Sequence, residues 1–407
     1  MTKCGIDTLG RRKARFSVGW GSGSCRVLWK LVVASALLQC AGASTAEISM
    51  PSLGQKRVAM PASPPPRSAM RITEVTPMPN APSQERRPVI IISDPTDYAD
   101  DNIAILMLLR SRQIDIRGII TTAGNVCAQR GAVEASRLLR GVGAASIPVV
   151  PGFPLAWHQD RRTFYENVER PSWNRRAYVG AFAEGQSCDA VGETSASTEP
   201  ESTTEAADFL IAQARASENG LTIILIGPAT ILAEAMRREP ELAGLIHRVN
   251  AMGGAMTVAG NVTAHAEFNV WFDPEAMEAV LASRVPMTLV PLDTTAGVTY
   301  ESLPRPRGQA SDFVATHLAA YLERKGSKGT PVGMWDEVVA AIVIDPTLVE
   351  TTEALYLSVS TAKDDQFGRI VSSPVAMDGA SRPVEVVTKV RADGVRELLT
   401  RLLLVGG

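Results

Sequence analysis

Long apolar runs are scarce in this chain of 407 residues. The only one approaching membrane length lies near the N-terminus, which excludes a polytopic membrane protein. A surplus of positive charge is also missing. Lys and Arg number 41 against 43 Asp and Glu, a formal charge of -2, so there is no basic excess to grip a phosphate backbone and no nucleic-acid partner is expected. Cysteines are few, at positions 4, 25, 40, 127 and 188, and cannot account for the fold of so long a chain. No internal repeat is visible. What the chain does have is 45% hydrophobic and 21% charged residues, the balance of a core-forming globular protein. The length fits two to three domains, or one large α/β domain with extra sequence.

The first 46 residues read as a targeting segment. Arg11, Arg12, Lys13, Arg15, Arg26 and Lys30 precede the apolar stretch Leu31 to Leu38, and Ala41, Gly42, Ala43, Ser44 and Ala46 offer small residues for cleavage. That is a secretory pattern, so the chain is expected to be exported, periplasmic or secreted, with no stable transmembrane segment in the mature form. A short helix or a misassigned start codon is the alternative. Cys40 follows Leu37, Leu38 and Gln39; the Gln fits a lipoprotein box poorly, so lipid anchoring is not expected. Cleavage would leave Cys127 and Cys188, whose pairing cannot be deduced. Residues 47–87 carry Pro61, Pro64, Pro65, Pro66, Pro77, Pro79 and Pro82 without hydrophobic periodicity, which describes an extended, disordered linker.

From residue 88 the rhythm changes. PVIIIS is a short apolar run ending in a turn, DDNIAILMLLRSRQ is helical in period, and IDIRGIITTAGN is again strand then loop. The same alternation recurs in LTIILIGPATILAEAMRREPEL, HRVNAMGGA and VPMTLVPLDTT. Such runs suit an α/β fold of the Rossmann-like kind, an open, mainly parallel sheet with helices on both faces, over 88–407. Ligands of such sheets sit at the carboxyl ends of the strands. Residues 188 to 206, polar and acidic, read as a surface loop.

At the end of the first strand stand Asp94, Asp97, Asp100 and Asp101, four carboxylates within eight residues. Helix capping accounts for one or two aspartates. Four are costly together unless a cation neutralises them, and oxygen ligands with no Cys or His pattern favour a hard ion such as calcium or magnesium.

A strand, an Asp-rich turn ending in Asp-Asp, a helix and a strand ending in TTAGN resembles the nucleoside hydrolase family, inosine-uridine preferring type. The turn is longer than the common pattern, so Asp94 and Asp97 compete for the role of first metal ligand and base. Asp94, at the strand end and before Pro95, is preferred. A second match runs from GPATILAEA through MGG, GN and AEFN to DPEA. The resemblance places sugar-binding residues at Asn261, Glu267 and Asn269, types that pair with ribose hydroxyls, although Asn also serves loops as a turn former. In DPEA, Asp273 reads as an N-cap with Pro274 at N1. The third match is Gly333-Met334-Trp335-Asp336. There the resemblance implies a metal-ligand Asp, with Trp335 in the place of the inosine-uridine type's His. That exchange removes a general acid for the base and offers a stacking face, which looks like the purine-preferring branch.

The resemblance further implies that Asp94, Asp101 and Asp336 bind calcium, with the Ile226 backbone carbonyl as a further ligand. Asp94 would activate water, Asp100 and Asn269 would bind ribose hydroxyls, and Asn125 would join the site. Trp157 and His158 stand where the family draws mobile base-binding residues, although exposure or packing explains them equally. The implied activity is calcium-dependent hydrolysis of the N-glycosidic bond of ribonucleosides, purines preferred, giving free base and ribose. The substrate partner is then a small-molecule ribonucleoside, and a homo-oligomer is possible by analogy. The competing expectation is an exported protein that binds a ribosyl ligand without turnover, or an interaction protein tethered by its Pro-rich segment.

Overall fold

The computed structural model describes residues 86–403 apart from 98, 159, 173–177, 184–204, 301–310, 326–331 and 378–381. The expected targeting segment and all but the last two residues of the expected linker lie outside them, as does Cys188. Eleven strands occur among the described residues: β1 (Arg87–Ser93), β2 (Ile114–Thr121), β3 (Val149–Pro151), β4 (Leu221–Ile226), β5 (Ile246–Met252), β6 (Met287–Val290), β7 (Thr299–Tyr300), β8 (Val332–Gly333), β9 (Val349–Val359), β10 (Ile370–Ser373) and β11 (Val384–Val390). Nine form one sheet in the order β10-β9-β11-β6-β5-β4-β1-β2-β3, while β7 and β8 make a small antiparallel pair. Only β9 runs against its neighbours in the large sheet. This is the expected α/β architecture.

Side-chain alternation along β1 explains why helices cover both faces. Val89 and Ile91 face one core with residues of the Asp100–Arg110, Asp336–Ile344 and Ala392–Leu403 helices. Ile90 and Ile92 face the opposite core with the Glu205–Arg215, Thr230–Arg238 and Pro274–Ala282 helices. All four β1 side chains are fully buried, and each contributes about 1.5–3 kcal/mol relative to exposure. A strand buried on both faces must be apolar throughout, which is why the sheet was legible as continuous runs.

Two boundaries shift. The first strand opens at Arg87, whose guanidinium donates to the Val343 carbonyl at 2.8 Å. The expected surface loop at 188–206 ends early, because Glu205 and Ala206 open a helix and Ala206 is buried. The alanine is absorbed by packing that a polar composition does not reveal.

The topology also locates the ligand crevice. From β1 the chain steps outward to β2 and β3, then crosses back to β4, β5 and β6 on the other side, with β1 parallel to both β2 and β4. The loops leaving β1 and β4 therefore diverge. That reversal point, at the carboxyl ends of the strands, is where an open α/β sheet takes its ligand.

Candidate active site

The aspartate turn fills this crevice. Asp94 is buried directly after β1. Its Oδ2 accepts the Asn125 backbone N–H at 2.6 Å, and a side chain at position 124 would collide with the same carboxylate, so Gly124 is required there. Asp101, also buried, accepts from Ser93 Oγ at 2.6 Å and from the Asp94 backbone N–H at 3.1 Å. The helix beginning at Asp100 has Ala99 at its N-cap with no side-chain capping bond. Capping therefore does not explain the aspartates.

Asp336 arrives from elsewhere in the chain. It opens a helix packed beside the Asp100–Arg110 helix, and the preceding β8 is pinned by β7. Carboxylate oxygens of Asp100, Asp101 and Asp336 all lie within 4.8 Å of one another. The cost of this crowding is visible in the acidities. Burial, then repulsion by Asp101, raises Asp94 well above the usual carboxylate range. Burial followed by Asp100 pushes Asp101 up to about 7. Asp336 is raised by burial and then by Asp100 and Asp101.

These four carboxylates line one cavity of about 230 Å³. Asn125, on the loop after β2, reaches it with its side-chain amide, whose Nδ2 donates to the Asp94 carbonyl at 3.2 Å and to Asp101 Oδ2 at 3.4 Å. Ile226, the last residue of β4, also lines it. The opposite wall comes from the loop and short helix after β5: Asn261, Glu267 and Asn269. Trp335 completes it, half-buried. Among the described residues no Lys, Arg or His lines the cavity.

A family model described as inosine-uridine preferring nucleoside hydrolase matches residues 89–397. The chain belongs to this family. It is 30% identical over 325 residues to the pyrimidine-specific ribonucleoside hydrolase RihA of Escherichia coli, spanning 77% of this chain and 96% of that protein. To the pyrimidine-specific ribonucleoside hydrolase RihB of the same species it is 27% identical over 318 residues, 76% and 94% of the two chains. Among solved structures it resembles a plant nucleoside hydrolase, PpNRh1, at 26% identity and a TM-score of 0.63, covering 78% of this chain and 99% of that one. The purine-preferring ribonucleoside hydrolase from Gardnerella vaginalis shares the fold at 23% identity and a TM-score of 0.60, again over 78% and 99%. As a nucleoside hydrolase, the chain is an enzyme that hydrolyses the N-glycosyl bond of ribonucleosides.

The nucleoside hydrolase cavity suits a hard cation. Carboxylate oxygens of Asp100, Asp101 and Asp336 lie at mutual distances one ion can span, buried Asp94 lines the same cavity, and no cationic side chain is among the described lining residues. Asp94 rather than Asp97 faces the cavity. Asp97 instead meets Arg137 Nη1 at 3.1 Å, its side chain 41% exposed.

Ten of the twelve expected site residues converge, and two do not. Trp157 packs against the core beneath the Thr230–Arg238 helix; its indole donates to Glu234 at 3.0 Å and its backbone N–H to Asp273 at 2.6 Å. His158 is exposed, its ring 5.3 Å from that of Trp157. Neither lines the cavity. Their placement follows from Asp273, which holds the Trp157 backbone while capping the Pro274–Ala282 helix through Ala276 at 3.2 Å. Glu267 lines the cavity but is heavily engaged, accepting the backbone N–H groups of Asn269, Val270 and Gly254 at 2.9, 3.2 and 2.8 Å. It shapes the wall as an N-cap. Burial still raises its pKa, against those three donors.

Tyr178 is a lining residue the sequence reading missed, together with Met252, Val262 and Phe268. No periodicity or spacing links position 178 to the aspartates. Only tertiary contact reveals it.

Proposed function

We propose that this nucleoside hydrolase is calcium-dependent, prefers purine ribonucleosides and acts outside the cytoplasm. The observation that carries the reading is the convergence of Asp94, Asp100, Asp101 and Asp336 on one cavity whose other wall presents Asn261 and Asn269. Asp94, Asp101 and Asp336 would hold the ion, with the Ile226 carbonyl as a further ligand. A bound calcium ion supplies a lowered water pKa and a fixed anchor for ribose hydroxyls.

The chain's own groups then have separate roles. Asp94 takes the proton of the attacking water, and the hydrogen bond from Asn125 keeps its carboxylate oriented. Asp100, Asn125 and Asn269 bind ribose hydroxyls. The surrounding negative charge favours a sugar that develops oxocarbenium character. Removing the 2′-hydroxyl leaves a buried partner unpaired, at about 1–3 kcal/mol, so 2′-deoxyribonucleosides are poor substrates. Purine preference rests on Trp335, which lines the cavity and carries an aromatic ring suited to stacking. The N-terminal basic and apolar pattern supports export.

The test is ribose release by the purified chain from inosine, adenosine, guanosine, uridine and cytidine, with calcium and then with a chelator. Calcium-dependent release favouring the purines is the expected result. Equal release from uridine and inosine sinks the role of Trp335, and full activity in chelator sinks the metal.

A further inference from the structure

The leaving base needs a proton, and the roles already proposed leave few groups able to supply one. Asp94, Asp101 and Asp336 act as carboxylates, Asp100 accepts from ribose hydroxyls, and Glu267 spends both oxygens on backbone N–H groups. Asn amides and the Trp335 indole do not release protons near neutral pH. Among the described lining residues Tyr178 carries the only hydroxyl.

Its placement is specific. The Tyr178 hydroxyl donates to Asn125 Oδ1 at 2.9 Å, and its ring lies 5.4 Å from that of Phe268, tilted by 45°. Two residues on, Gly180 adopts φ +53 against the Gly124 carbonyl, where any side chain would collide, and Ala181 N–H donates to that same carbonyl at 2.8 Å. The segment is therefore docked on the loop that carries Asn125. Tyr178 is nonetheless 52% exposed, so water can return a proton to it.

We propose, on the basis of the nucleoside hydrolase reading above, that Tyr178 is the catalytic acid for the departing base. The C1′–N bond breaks with its electron pair passing to the base. The phenolic proton moves to a ring nitrogen or an exocyclic oxygen of that base. The attacking water delivers its hydroxyl to C1′ and its proton to Asp94, and solvent exchange returns a proton from Asp94 to the tyrosine oxygen. To donate to the base, the hydroxyl turns away from Asn125 Oδ1.

The test compares Tyr178→Phe with wild type on inosine and uridine and on 4-nitrophenyl β-ribofuranoside, whose leaving group departs without protonation. Because the ring is kept and half-exposed, folding should be unchanged, as an unaltered melting temperature would show. The expected result is a fall in kcat of about 100-fold on both nucleosides, KM within about threefold, and a fall of less than threefold on the nitrophenyl riboside. Equal slowing on all three substrates makes Tyr178 a positioning residue and overturns the proposal. Unchanged kcat on the nucleosides overturns it too, while leaving the hydrolase reading intact. No release from any of the three by wild type overturns both.

Discussion

Charge is buried in two places in this molecule, and by opposite means. Around the cavity Asp94, Asp101 and Asp336 are all buried, with no cationic side chain among the described lining residues. Next to it, Arg161 is buried together with its counter-ion. Arg161 Nη1 donates to Glu169 at 2.6 Å and Nη2 to the Trp271 carbonyl at 3.1 Å, while the Trp271 indole donates to Glu169 at 2.8 Å. The ring centroids of Phe164, Phe182, Trp271 and Phe367 surround the guanidinium at 4.7 to 5.7 Å, Trp271 nearest. The clamp is electrically complete and serves packing. The cavity has no such counter-ion among its described lining residues, and its carboxylates are instead shifted up in pKa, which suits the cation proposed above. A protein that tolerates such a deficit at one point of its core does so where binding matters.

The sharpest way to break this comparison is Asp94→Asn. Losing the base should lower kcat by about 10³- to 10⁴-fold. The same change relieves repulsion, so the metal-free variant should unfold at higher urea than metal-free wild type. A metal-free variant less stable than wild type would show that the carboxylates are not in conflict.

Arg161→Met should act with the opposite sign. It leaves Glu169 buried without its partner, at about 3–5 kcal/mol of stability, read by urea unfolding. Adding Glu169→Gln should restore part of that loss. No loss in the single variant would mean that the aromatic shell alone holds the segment.

Calcium should stabilise the folded chain by an amount that grows with pH. Asp101 is raised to about 7, whereas an unfolded aspartate titrates near 4. Between those values the metal-free folded chain keeps a proton that the unfolded chain has lost, so its stability falls as pH rises through the window and levels off above it. Calcium favours the ionised carboxylates and removes that penalty. At 100 times its Kd the ion adds about 2.7 kcal/mol. Melting temperatures with calcium and with chelator should therefore diverge from pH 5 to pH 8; a constant difference would contradict the assignment.

The smallest effect concerns the base. Trp335→Ala should reduce kcat/KM for inosine by about tenfold more than for uridine, the scale of one lost aromatic contact of about 0.5–1.5 kcal/mol. Equal losses would remove stacking as the source of preference.

Much of this was legible in the chain because it is local. β1, β2, β4, β5 and β6 fall on the apolar runs, and Asp273 with Pro274 caps its helix as DPEA implies. The choice between Asp94 and Asp97 was not local, since both lie in one turn. Which of the two faces the cavity follows from Gly124 and Asn125 on the loop after β2 receiving Asp94, and from Arg137 drawing Asp97 away. Trp157 misled because an aromatic in a loop after a strand looks available, and its partner Asp273 lies 116 residues away.

By itself, then, the sequence determined the α/β alternation, the family, and which residue types gather at the strand ends, because burial on both sheet faces and turn chemistry act over a few residues. The tertiary structure decided which carboxylate faces the cavity, that Glu267 caps a helix, and that Tyr178 reaches Asn125 across 53 residues of chain. Those outcomes depend on distances between segments that meet only when the sheet reverses its winding at β1 and the helices close on both faces. No spacing rule along the chain encodes them.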